Sequence, residues 1–160
     1  MTKINLLEEY NKHKKKYSLP DFKPLDEEYE ITNIQKNLQD PKLILKFVRR
    51  RINEKITFFV QILETMLSPN PNSIINITES KFLPEEEREN MEALLKTLMY
   101  FERYSILLDV TSDDKSNASF IKEVWQEWPK FKKTIEEYAK ILKNKWKEEE
   151  EKAIAEHYFG

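Results

Sequence analysis

The near-absence of glycine is the feature that most constrains the folding of this chain. Of its 160 residues, only the last, Gly160, is a glycine. Phosphate-binding loops, dinucleotide-binding turns and nucleophile elbows depend on the positive φ angles and the close backbone approach that glycine permits. These classes of site are therefore excluded, and we expect an all-helical protein with polar connections.

The reactive side chains narrow the range of functions further. The chain has no cysteine, which excludes disulfides, thiolate metal sites and cysteine nucleophiles. Its two histidines, His13 and His157, lie near opposite ends of the chain, so neither a zinc site nor a Ser-His-Asp arrangement is indicated. No set of acid, base and nucleophile can be identified. We expect a protein that is not an enzyme and that holds no cofactor and no metal.

A metal-dependent enzyme with carboxylates on helices and loops is the alternative. Asp109, Asp113 and Asp114 are its candidate ligands, because they cluster in one polar segment and hard cations such as Mg²⁺ prefer oxygen ligands. Aspartates between two helices also act as helix caps. Capping is the interpretation that we favour for these residues.

The periodicity of apolar residues predicts an irregular bundle of five to six helices in a single domain, residues 1–160. Its long helices are expected near 41–67, 84–109 and 129–150, with a strap over 18–38 lying across the bundle and a tail over 148–160 that is frayed or flexible. Asp40-Pro41 is a strong start signal for the first long helix. The segment 74–77 is ambiguous, and Pro129 either kinks a helix or starts a new one. In the first long helix, apolar residues recur at steps of three and four: Leu45, Val48, Ile52, Ile56, Phe59, Leu63 and Met66. The opposite side of this helix is expected to be solvated, and it carries Arg49, Asn53, Thr57 and Gln61.

Basic residues are concentrated in the first part of the chain, although the net charge is −2. Residues 1–60 contain 13 basic and 9 acidic side chains, whereas residues 61–120 contain 5 and 11. A local basic face can bind the phosphate backbone of a nucleic acid even on a weakly acidic protein. Arg50 could instead form an ion pair with Glu54 one turn later. The candidate phosphate-binding residues are Lys14, Lys15, Lys16, Lys46, Arg49, Arg50 and Arg51.

The C-terminal part of the chain contains a second candidate interaction site. Trp146 lies among lysines near the end of an apolar stripe, so we expect it to be partly exposed. In the segment 154–159, Ile154 precedes the pair His157-Tyr158 by three positions. This order resembles the short sliding-clamp-binding peptide, although Glu151 stands where that peptide has glutamine. The resemblance implies a protein partner for this segment. The candidate partner-binding residues are Trp146, Ile154, His157, Tyr158 and Phe159.

A further pattern combines an acidic-aromatic segment, a basic helix and a second helix start. The segment 25–29 reads Leu-Asp-Glu-Glu-Tyr and precedes the basic helix, and 83–87 reads Leu-Pro-Glu-Glu-Glu. Over about residues 20–105 this order is similar to the helical half of the GINS replication proteins, whose small β domain has no counterpart here. The resemblance implies a replication-associated factor.

These observations favour a helical binding or adaptor protein that associates with another protein or with a nucleoprotein complex. No apolar stretch approaches the ~18 residues that a membrane span needs, and the first 16 residues lack the apolar core of a secretory signal. We expect a cytoplasmic location and no membrane partner. The oligomeric state stays open.

Overall fold

The computed structural model describes residues 5–36, 38–111 and 113–159, and places no strand among them. It confirms an all-α fold with six helices. Two 3₁₀ segments, Ile31–Lys36 and Pro41–Leu43, supplement the helices. In chain order the helices are α1 Leu6–Tyr17, α2 Phe22–Tyr29, α3 Ile44–Leu67, α4 Ile74–Ser80, α5 Glu85–Thr111 and α6 Asp114–Phe159.

Side-chain caps fix where several helices begin. The Asp40 carboxylate accepts the Lys42 backbone N–H at 2.9 Å, and Pro41 follows as the first helical residue. The predicted start of the first long helix is therefore confirmed. Ser73 caps α4 in the same way by accepting the Asn76 N–H, which makes the ambiguous segment 74–77 a helix.

The chain forms two compact units, and the boundaries fall inside α3, α5 and α6. The first unit comprises the described parts of residues 1–60 and 97–128, and the second those of 61–96 and 129–160. The expectation that 1–160 is a single domain stays a prediction. The buried core of the first unit includes Tyr10, Leu25, Tyr29, Ile31, Ile44, Leu45, Val48, Ile52, Ile56, Leu98, Phe101, Leu108, Phe120, Ile121 and Val124.

The segment between α1 and α3 packs against the start of α6 in the first unit. Its Tyr29 is buried, and the Tyr29 ring lies 5.0 Å from the Trp128 ring and 6.3 Å from the Trp125 ring. Lys55 of α3 covers the Trp128 ring at 5.2 Å and donates to the Glu28 carboxylate at 2.7 Å. The expected strap is thus a short helix, α2, held by aromatic and charged contacts.

The second unit is built from the end of α3, α4, the start of α5 and the larger part of α6. Its buried apolar residues are Leu63, Met66, Leu83, Met91, Leu94, Phe131 and Tyr138. The Tyr138 hydroxyl donates to the Glu87 backbone carbonyl at 3.3 Å. This bond joins α6 to the first turn of α5 within the unit.

Pro129 neither ends α6 nor starts a new helix. The long helix expected near 129–150 is part of one 46-residue helix, Asp114–Phe159, with Pro129 inside it. A proline removes one N–H from the ladder and clashes with the preceding turn. Val124, Trp128 and Phe131, on either side of Pro129, are buried.

Candidate interaction surfaces

Arg49 does not lie on the solvated side of α3, as the sequence pattern predicted. It is fully buried in the first unit, where its Nε donates to Asn117 Oδ1 at 2.7 Å and its Nη1 donates to the Ser105 carbonyl at 2.8 Å. The same guanidinium contacts the Ser105 hydroxyl and the Asp109 carboxylate. These contacts remove Arg49 from the set of side chains that can reach a phosphate outside the protein.

Thr57, in the same polar line on α3, also faces α5 within the first unit, whereas Gln61 is exposed. The Thr57 hydroxyl donates to the Glu102 carboxylate at 3.1 Å, and Asn53 and Thr57 are both half-buried. The prediction of a solvated side was therefore wrong for this part of α3. The physical reason is that α5 supplies matching polar groups, Glu102 and Ser105, so the two helices pack through a polar seam.

Arg50 and Arg51 are engaged by acidic neighbours. Arg50 Nε donates to Asp109 at 3.0 Å. Arg51 donates to Glu30 at 2.9 Å, to the Tyr29 carbonyl at 3.0 Å and to Glu54. The pairing expected between Arg50 and Glu54 is thus made by Arg51 instead. Both arginines are therefore at least partly neutralised.

The lysines on the predicted basic face are more accessible than the arginines. Lys14 pairs with Asp21, but Lys15 and Lys16 in the last turn of α1 are exposed. Lys16 Nζ also lies 4.9 Å from the centre of the Tyr17 ring. Lys46 on α3 is half-buried. Of the seven predicted residues, Lys15 and Lys16 are the cations most open to a ligand.

The candidate metal ligands take part in contacts with the protein itself. Asp109 accepts from Arg49 and Arg50. Burial acts to raise the pKa of Asp109, but the hydrogen bonds from the two arginines outweigh it and hold the pKa below 3.8. Asp113 accepts the Ser116 N–H at 2.8 Å, while Asp114 is the first residue of α6. Among the described residues, no group of three or more metal-binding side chains is placed to hold an ion.

Trp146 anchors α6 within the second unit. It is 38% exposed, in keeping with the expected partial exposure. Its indole Nε1 donates to Glu79 Oε1 at 2.8 Å, and its ring meets Phe82 edge to face at 5.3 Å. Trp146 therefore has an intramolecular role, which fixes where the packed part of α6 ends.

Beyond Trp146, the last turns of α6 lie open to solvent. Every residue from 147 to 158 is exposed, and the backbone stays helical through Phe159. Ile154, His157 and Tyr158 are spaced i, i+3 and i+4, so they share one face of this helical end. Tyr158 is 82% exposed, and the side chain of Phe159 lies outside the described residues. A cleft of about 470 Å³ separates 148–152 from the turn at 81–84.

An apolar face on α5 was missed in the sequence. Tyr100, Ile106, Leu107 and Val110 are all exposed. The available signal was the run Ile106-Leu107-Leu108, followed by Val110. Apolar residues at consecutive helix positions cannot all face one core.

Comparison of the chain with protein-family models, with curated proteins and with solved structures finds no match. In the described part of the chain, no helix combines the length and the apolar character needed to cross a membrane. The resemblances to the GINS proteins and to the clamp-binding peptide stay hypotheses. Function is therefore argued from the surfaces described above.

Proposed function

We propose that this protein is a non-enzymatic helical binding protein that docks on a protein partner through the end of α6. The observation that carries the proposal is the run of exposed helical residues from 147 to 158, on which Ile154 and Tyr158 point outward one turn apart. An amphipathic helix that inserts its apolar face into a groove is a common mode of recognition. The spacing of Ile154, His157 and Tyr158 suits this mode.

The energetics of this helical end support a role in binding. Isolated helices shorter than ~12–15 residues are marginal in water, and packing contacts of α6 end near Trp146. Local pairs such as Lys152–Glu149, at 2.9 Å, add only about 0.2–0.5 kcal/mol each. A partner that covers Ile154 and Tyr158 would bury their apolar surface and would also stabilise a helical end that has little packing of its own.

The charge of the same segment defines the chemistry of the partner. Residues 147–158 contain five glutamates and two lysines, so the segment is net acidic around its apolar face. A complementary groove is apolar at its centre and basic at its rim. A sliding clamp is one such partner that the resemblance of 154–158 suggests.

Site-specific photocrosslinking tests the proposal. A photoreactive phenylalanine at position 158 is compared with the same residue at the exposed position 133 of α6, in lysate treated with nuclease. We expect a discrete protein adduct from position 158 alone. Excess unlabelled wild-type protein should suppress the adduct, and the variant with Ile154→Glu and Tyr158→Glu should not.

Three results would count against this function. They are the absence of an adduct at 158, equal adducts at 158 and 133, and equal competition by the double variant. If the adduct contains a sliding clamp, the clamp-binding form of the proposal is supported. If it contains another replication protein, the replication-associated role is supported without the clamp.

Nucleic-acid binding is a second candidate function, supported by the exposure of Lys15 and Lys16. Its test is the fluorescence anisotropy of a labelled 30-mer in increasing salt. The variant with Lys14, Lys15 and Lys16 changed to Glu is compared with a charge-matched variant in which Lys130, Lys133 and Lys143 are changed. If three phosphates are contacted, the log–log salt slope should be about −2 to −3, and only the first variant should lose binding.

A further inference from the structure

The last three turns of α5 carry an apolar face that the described protein leaves uncovered. The face begins at Tyr100 and continues seven and ten residues later with Leu107 and Val110, which is a spacing that keeps residues on one side of a helix. Ile106 lies beside them, so the four side chains form one stripe along α5. Val110 is 81% exposed, and the other three side chains are each at least half exposed. We call this stripe the α5 face.

Rotation of α5 cannot hide this face. The opposite side of the same turns already carries the buried residues Phe101, Ser105 and Leu108, and Ser105 accepts from the buried Arg49. Turning the helix to bury Leu107 would expose these groups and break the polar seam with α3. The α5 face is therefore a fixed surface that can be covered only from outside.

The size of the α5 face exceeds what scattered surface residues would give. Four half-exposed apolar side chains at roughly 100 Å² each amount to roughly 400 Å², within the range of the largest, often functional, patches on monomeric proteins. Two such faces would bury roughly 800–1,000 Å², with the flanking residues included, which is at the low end for specific interfaces. That area fits a weak, reversible contact.

We propose that the α5 face binds a second copy of this chain, with the two α5 helices antiparallel and crossing at Ile106 and Leu107. This proposal does not depend on the role of α6. In an antiparallel pair centred there, Arg103 of one copy lies opposite Val110 of the other, since each is about three residues from the centre.

Charge complementarity favours this occupant. Arg103 is 64% exposed within the stripe, and its ion pair with Glu102 is long, at 3.4 Å. The last turn of α5 carries no basic residue, and the exposed Asp113 follows it. A helix C-terminus is electronegative and is stabilised by cations. The antiparallel arrangement brings Arg103 of each copy to the negative end of α5 in the other, and a two-fold axis satisfies both contacts at once.

The first test is sedimentation equilibrium of the full chain from about 5 to 500 µM. We expect the average mass of the wild type to rise from 19.4 kDa toward twice that value, with a dissociation constant on the order of 10–500 µM, in the weak range for an interface of this size. Ile106→Glu with Leu107→Glu should raise the dissociation constant by roughly 20-fold or more, because the like charges of the two copies would meet at the crossing point without partners.

A matched control separates the surface from the added charge. Gln126→Glu with Asn144→Glu also adds two negative charges at exposed helix positions and should associate like the wild type. The proposal is overturned if the wild type stays at 19.4 kDa at 500 µM, or if the variant at 106 and 107 associates as well as the control. Circular dichroism and the melting temperature check that each variant is folded.

Cysteine pairing tests the antiparallel register independently. The chain has no cysteine, so Arg103→Cys and Val110→Cys each introduce a unique thiol. When the two single variants are mixed and oxidised, the mixed disulfide should dominate. Two copies of either variant would hold their thiols about 10 Å apart along the helix axis, beyond the roughly 7 Å between Cα atoms that a disulfide spans. Predominance of either same-residue disulfide would overturn the arrangement.

Discussion

The buried guanidinium of Arg49 gives the sharpest prediction for stability. Arg49→Ala removes donors from Asn117 and from two groups of Ser105, takes away one of the two arginine partners of Asp109, and leaves a cavity. Breaking a buried, hydrogen-bonded ion pair from one side costs about 3–5 kcal/mol. Because the Asp109 side chain is 38% exposed, solvent screens part of this loss. We expect a decrease of about 3 kcal/mol in the free energy of unfolding.

Two further variants serve as comparisons for Arg49→Ala. Arg49→Met keeps the packing of the aliphatic stem, so it should lose about 1 kcal/mol less than Arg49→Ala. Lys140→Ala breaks an ion pair with Glu136 of similar length, 2.7 Å, whose members are both mostly exposed. Exposed helix pairs contribute about 0.3–0.5 kcal/mol, so this control should be nearly neutral.

Equilibrium unfolding in urea, followed by circular dichroism and tryptophan fluorescence, measures all three variants. The reasoning is refuted if Arg49→Ala loses less than about 1 kcal/mol, the net worth of one ordinary hydrogen bond. It is also refuted if Arg49→Ala and Lys140→Ala lose the same amount, since burial would then make no difference.

Three further predictions concern single positions. Ser18 ends α1 with φ at 54°, a conformation that costs a non-glycine residue roughly 1–2 kcal/mol. Ser18→Gly should therefore raise the free energy of unfolding by about 0.5–1 kcal/mol in urea titrations. Ser18→Ala should not raise it. Pro129 lies inside α6, so Pro129→Ala should restore a backbone hydrogen bond and raise the free energy of unfolding by about 1–3 kcal/mol; a loss would show that the proline is needed for packing. The pKa of Asp109 is raised by burial but lowered more by its hydrogen bonds with two arginines, so it lies below the unfolded value. Asp109 therefore adds stability above about pH 4 that is lost as the pH falls through the folded pKa. In Asp109→Asn the free energy of unfolding should be lower at pH 7 and should fall less steeply toward pH 2, and an unchanged slope would contradict this.

Local signals in the sequence were enough to place the first two long helices. The capping aspartate and the proline at 40–41 marked the first of them, because both act through backbone groups only a few residues away. The signal at Pro129 failed because it is equally local. A proline destabilises an isolated helix, but α6 runs through Pro129 and its neighbours Trp128 and Phe131 are buried. The packing of these neighbours is tertiary, so a local rule for proline does not include it.

The environment of Arg49 could not be predicted for a related reason. On a single helix, a line of polar residues opposite an apolar stripe indicates a solvated face. In the folded protein, Ser105 and Asp109 of α5 and Asn117 of α6 supply the acceptors that make its burial tolerable. These partners lie 56 to 68 residues away in the chain, so periodicity within α3 carries no information about them.

The two proposed contacts would reinforce one another. A pair of chains joined through α5 would present two α6 ends, and an oligomeric partner could then bind both. With an effective concentration on the order of 1 mM and a dissociation constant of about 100 µM for the α5 contact, pairing would strengthen binding about tenfold. Leu107→Glu should therefore lower the yield of the position-158 adduct with such a partner about tenfold, although Leu107 lies 51 positions before Tyr158. An unchanged yield would show that α6 acts as a single ligand and that the α5 contact does not contribute to its affinity.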